Sequence, residues 1–169
     1  MYSLLEAFGG FLVFLSLSLI PWGCFGLGKI DAKSAAAISF ICGVMSFIWA
    51  LAFIYPLSLA TAVVAANFSF AFISAGIHFY RGVDPRGHGV LCWTLAGIVA
   101  ILGAFISSAS MPFLTFSVWT YFVVLVLFGG GSYFGSPKWI KAFAYFSIFV
   151  GIVTTGAFGM LWSLGKLHA

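Results

Sequence analysis

Long stretches of this chain carry no charge. Residues 7–28, 34–80, 87–137 and 142–165 contain no Asp, Glu, Lys or Arg. A hydrocarbon layer about 30 Å thick is crossed by about 20 residues of apolar helix. The four stretches therefore supply one, two, two and one spans. Tyr55-Pro56 divides the second stretch, because proline disfavours helix in the residue before it. The segment Ser107 to Pro112 divides the third stretch. The expected spans are 5–28, 34–55, 58–80, 88–108, 112–134 and 140–164, making one transmembrane domain over 1–169. These runs lack the alternation of β-barrel strands, so the fold expected is an all-α bundle of six transmembrane helices.

Composition agrees. The 21 Phe outnumber the seven basic and three acidic residues together by about two to one. A soluble domain carries roughly a quarter charged residues, and no water-facing surface can be built from this inventory. The N-terminus reads as the first span rather than a signal peptide, since Glu6 stands where a positive n-region belongs.

The placement of the charges sets the orientation. Lys29, Lys33, Arg81, Arg86, Lys138 and Lys141 occupy the first, third and fifth connections, and the second and fourth have no charge. The positive-inside rule makes the basic face cytoplasmic and both termini periplasmic or extracellular. Lys166 alone falls on the other side. The net charge of +4 thus marks membrane orientation, and no nucleic-acid partner is expected.

The basic connections repeat. Ile30-Asp31-Ala32-Lys33 recurs as Val83-Asp84-Pro85-Arg86 and more loosely as Gly135-Ser136-Pro137-Lys138, at intervals of 53 and 52 residues. Asp31, Asp84 and Ser136 are helix N-cap types. Pro85 and Pro137 suit the first helical position, where a missing N–H costs nothing. The bundle is therefore expected to consist of three similar helical hairpins, packed through abundant Gly and Ala.

The membrane interior has no ionisable pair of the kind ion-coupled transporters place at mid-depth. It carries neutral hydrogen-bonding groups instead, at Asn67, Ser69, Thr154 and Thr155, with Phe68, Phe72 and Phe122 nearby. Such a lining suits a small, planar, uncharged solute, whose lost water bonds it can replace without a counter-charge. No cofactor, metal or catalytic residue is expected. Cys24, Cys42 and Cys92 are widely spaced and read as packing residues. His78, Arg81, Asp84, Arg86 and His88 read as a solvated interfacial loop. Trp22, Trp93 and Trp139 at one face, and Trp49, Trp119 and Trp162 at the other, read as aromatic belts. Trp22 is also a candidate for the solute path.

The run Gly26-Leu27-Gly28-Lys29-Ile30-Asp31-Ala32-Lys33-Ser34, leading through Ala35 to Gly43, resembles the first cytoplasmic connection of the AmiS/UreI family. These are bacterial urea and short-chain amide channels with the pattern Gly-Leu-x-Lys-Val-Asp-Pro-Lys-Ser there. Gly82-Val83-Asp84-x-Arg86 and the last helix with Gly151 and Thr154 extend the likeness over nearly the whole chain. The resemblance implies a channel within each protomer, a homo-hexameric ring in the bacterial inner membrane, and supply of a small neutral amide to a cytoplasmic urease or amidase. It implies an aromatic pair at Phe68 and Phe72, and fifth-helix pore aromatics at Trp119 and Phe122, with Val126 replacing the next of that series. Two departures follow. The urea channel's Glu before the last-helix Gly is Val150 here. The outer connections at Pro56 and Pro112 are short and chargeless, so no acid gating is expected. The alternatives are a proton-coupled transporter working through Glu6, a membrane enzyme built on the His78–His88 loop, and a scaffold subunit without flux.

Overall fold

The computed structural model describes residues 3–107 and 112–165. Six helices in it are long and apolar enough to cross a membrane. They are α1 (Leu4–Gly26), α2 (Ala32–Trp49) with a π-helical end (Ala50–Ile54), α3 (Leu59–Arg81), α4 (Arg86–Ser107), α5 (Pro112–Phe134), and a composite sixth span. The last runs from α6 (Pro137–Phe149) through a π-helical segment (Val150–Ala157) into α7 (Phe158–Ser163). No strand occurs among the described residues. Lys166 and much of the connection expected between Ser107 and Pro112 lie outside them.

The basic connections share one grammar. Gly28, Gly82 and Gly135 adopt left-handed backbone at φ 70°, 67° and 61°, which only glycine takes without strain. Each stands one to three residues before the cap position of the next helix. Asp31 caps α2 by accepting from the Ser34 amide at 2.9 Å and the Ser34 hydroxyl at 2.6 Å. Asp84 accepts from the Arg86 amide at 2.9 Å. Ser136 has extended cap geometry but no side-chain bond, with Pro137 supplying the start. The third copy of the repeat thus keeps the proline and drops the cap bond.

The Ser34 bonds hold the Asp31 carboxyl below its usual range. A carboxylate depressed in the folded state stabilises above the unfolded value, and that stabilisation is lost as pH falls through the folded one. Asp31→Ala is expected to lower the melting temperature in detergent at pH 7. The difference from the parent should shrink toward zero as the pH drops below the ordinary Asp range.

The packing partners are α2 with α3, α4 with α5, and α1 with the sixth span. Three antiparallel pairs result, and each is opened by one copy of the repeated connection. The third pair is not contiguous: its two members are the ends of the chain. Small residues bring these backbones together. A Cβ on Gly9 would lie 2.7 Å from the Gly159 carbonyl oxygen, and one on Gly89 would lie 2.9 Å from that of Gly129.

The second and sixth spans are not the uniform α-helices that their apolar runs predict. Val150–Ala157 is wound as a π-helix. The run Ile152-Val153-Thr154-Thr155 is β-branched throughout and lies between Gly151 and Gly156, a combination that weakens regular α-helix. Thr155 donates to the Val150 and Gly151 carbonyls at 3.1 and 3.0 Å and so satisfies acceptors that the wider turn displaces. Such segments concentrate at functional sites.

Candidate functional site

Burial divides the polar groups of the interior into two kinds. Ser69 is occupied, donating to the Ala65 carbonyl at 3.0 Å and lying 3.0 Å from the Ser46 hydroxyl. Thr155 is occupied by its own backbone. The Asn67 side-chain amide nitrogen and the Thr154 hydroxyl are buried without a protein partner. So are the hydroxyls of Ser117, Tyr121, Ser132 and Ser147, and the indole nitrogen of Trp22. A buried polar group left without a partner costs about 1–3 kcal/mol. Several in one small bundle are a sizeable stability cost, and all are neutral. Among the described residues, no Asp, Glu, Lys or Arg is buried.

The first cluster lies on the uncharged-face side of mid-depth. Asn67 is eight residues from the start of α3 and Tyr121 nine from the start of α5, roughly 12–14 Å along each axis. Phe68 and Tyr121, both fully buried, meet there with ring centroids 4.6 Å apart. Phe72 is buried one turn further along α3. Tyr121 thus places a hydroxyl and a ring at the depth where Asn67 offers an amide.

The second cluster lies at the basic face. Trp22 of α1 packs against Phe79 of α3 at 4.8 Å and Phe128 of α5 at 5.1 Å. Phe128 stacks on Phe143 of α6 at 4.4 Å and 8°. These rings, with Pro85 and Ser132, line a cavity of about 160 Å³. Trp22 and Ser132 contribute the two unpartnered donors there. Aromatic faces with a few polar points suit a flat, neutral solute of a few heavy atoms.

Of the residues singled out in the sequence, Asn67, Phe68, Phe72, Thr154 and Trp22 are all buried. Trp22 and Trp162 are fully buried, so neither belongs to an interfacial belt. The fifth-helix residues are placed differently. Trp119 is 39% exposed and donates to the Ser107 hydroxyl at 3.1 Å. Phe122 is half-buried and packs edge-on against Trp119 at 5.7 Å. The aromatic residues that α5 turns inward are Tyr121 and Phe128. The helix is apolar on every side, so its sequence carries no stripe to mark the inner face.

The loop reading of His78 and His88 is also corrected. His88 sits in the first turn of α4, fully buried, with its ring 4.6 Å from that of Phe128. Cys92, one turn on, is no inert filler: its sulfur is 3.2 Å from His88 Nε2. No group of three or more metal-ligating side chains occurs among the described residues.

A six-span bundle with a chargeless, aromatic, partly unsatisfied interior defines a multi-pass membrane protein. The chain belongs to the AmiS/UreI family of transporters, whose model matches residues 8–165. No curated protein sequence matches it. Two solved structures share its fold. The Helicobacter pylori urea channel in its closed state, from cryo-electron microscopy, has a TM-score of 0.79 at 18% identity, covering 95% of this chain and 100% of that one. The crystal structure of the urea channel from the same gastric pathogen gives 0.81 at 19% identity, covering 95% and 99%. Membership in a transporter family sets aside the reading of the chain as a membrane enzyme.

Proposed function

We propose that the protein is a passive channel for small neutral polar solutes, urea or short-chain aliphatic amides first among them. One observation carries this reading: the buried hydrogen-bonding groups without protein partners are neutral, and they stand beside aromatic rings at two depths. A planar amide entering the bundle would recover its lost water bonds at Asn67, Tyr121 and Thr154, and again at Trp22 and Ser132. Phe68, Phe72, Phe79, Phe128 and Phe143 would supply ring faces and exclude bulk water. An ion would meet no compensating charge, and its transfer costs several kcal/mol or more. Trp119 and Phe122 are assigned a place at the outer rim of this path.

The basic face is the cytoplasmic one in this reading, with both termini outside, in a bacterial inner membrane. The family resemblance supports a homo-hexamer and a role supplying a urease or amidase. Val150, fully buried at the head of the π-helical segment, leaves that point of the sixth span without a carboxylate. The two connections on the uncharged face are short and lack His, Asp and Glu, so the pathway is not acid-gated. Stopped-flow light scattering on proteoliposomes tests the proposal. Urea and acetamide should enter faster than through empty vesicles, and sucrose should not. Acidifying the outside from pH 7 to 5 should change the rate by less than about twofold. A steep rise on acidification would overturn the ungated reading, and the absence of any solute flux would overturn the function.

A further inference from the structure

His88 is buried in the bundle yet touches none of the unpartnered polar groups described above. Its contacts form a chain. His78 Nδ1 lies 2.9 Å from the Ser74 carbonyl oxygen, so that nitrogen carries the proton and donates. The Ser74 hydroxyl lies 3.2 Å from His88 Nδ1. His88 Nε2 in turn lies 3.2 Å from the Cys92 sulfur. Both nitrogens of His88 thus have a partner, and the two contacts fix the ring in one orientation.

Held in that way, His88 faces the aromatic cluster at the basic end. Its ring stands edge-on to Phe128 at 4.6 Å and 70°, and to Phe79 at 6.0 Å and 80°. Phe128 has Trp22 and Phe143 among its other neighbours. It is therefore wedged between a clamped imidazole and the rings that line the cavity. We propose that His88, locked by Ser74 and Cys92, is a positioning residue that holds Phe128 forward and so sets the size of solute the basic-face mouth admits. The inference rests on the reading of that cavity as part of the solute path. His88 itself touches no solute: it acts through Phe128.

Removing the buttress lets Phe128 fall back into the vacated volume and widens the cavity. One methylene of solute is typically discriminated about 10–200-fold by a fitted apolar site, and a loosened mouth loses part of that factor. The readout is the ratio of butyramide to urea permeability in proteoliposomes, which does not depend on how much protein inserts or folds. His88→Ala is expected to raise the ratio about threefold or more over the parent protein. Ser74→Ala, a smaller change that only unlocks the imidazole, is expected to shift it the same way by a lesser factor. It keeps the test open if His88→Ala fails to fold. An unchanged ratio in every variant that folds, with total flux merely following protein yield, would reduce His88 to a packing residue and overturn the proposal. Absence of urea flux in the parent protein would instead overturn the channel reading on which it rests.

Discussion

Exchanging Asn67 for leucine is expected to lower urea or acetamide permeability about tenfold while leaving the fold as stable as before, or more so. The two effects have opposite signs for one reason. The Asn67 amide nitrogen is buried without a partner, so it destabilises the resting bundle. An apolar group of similar shape in its place removes that cost. A passing solute, however, loses the donor that replaced a water bond, and leaving a solute group unpaired at a buried site costs about 1–3 kcal/mol. Thermal unfolding in detergent reads one effect and vesicle flux the other. An unaltered flux would show that Asn67 lies off the path. A large fall in melting temperature would show that the amide has a structural partner after all.

The second large effect concerns closure of the bundle. Gly159→Leu is expected to destabilise the protein on the order of 3 kcal/mol, enough to remove most of the monodisperse material. A Cβ there would lie 2.7 Å from Leu12 Cβ and 3.0 Å from the Gly9 carbonyl oxygen, where backbone meets backbone with no flexible side chain to yield. The pair at stake is α1 with the sixth span, which joins the two ends of the chain. Gly97→Leu on α4 is the control, since a Cβ at Gly97 meets nothing within 4 Å. Its elution profile should match the parent. Equal behaviour of the two variants would contradict the close approach of α1 and α7.

Much of the fold is legible in the sequence because lipid enforces a simple rule. A backbone in hydrocarbon must be helical, and a charge inside it is costly, so uncharged runs of sufficient length announce the helices. The repeated Asp31, Asp84 and Ser136 connections likewise announce where helix pairs begin. What the sequence does not reveal is that the third pair is completed by α1. A repeat read along the chain has no symbol for a partner at the opposite end.

The π-helical segment at Val150–Ala157 is a matter of a few tenths of a kcal/mol per residue in local preference. Apolar run length is blind to it. At the candidate site, Asn67 and Thr154 stand out because neutral polar groups are scarce in membrane interiors. Tyr121 and Phe128 do not stand out, because α5 is aromatic and aliphatic all round. Only its packing against α3, α4 and α6 decides which rings turn inward. The register taken from the family for Trp119 and Phe122 thus settled on the more exposed side. His88 was hidden by its neighbours: Arg81, Asp84 and Arg86 mark a solvated turn, but α4 begins at Arg86, and a residue two positions later already faces the bundle.

The proposed path is polar enough for a neutral guest and has no partner for a charged one. Uptake of labelled urea and acetamide into proteoliposomes, at imposed membrane potentials and with or without a proton gradient, tests it most directly. A neutral path gives downhill rates that are the same at every potential, unaffected by collapsing the gradient, and accompanied by no salt current. A rate that follows the potential or the proton gradient, or a measurable ion conductance through the reconstituted protein, would contradict it.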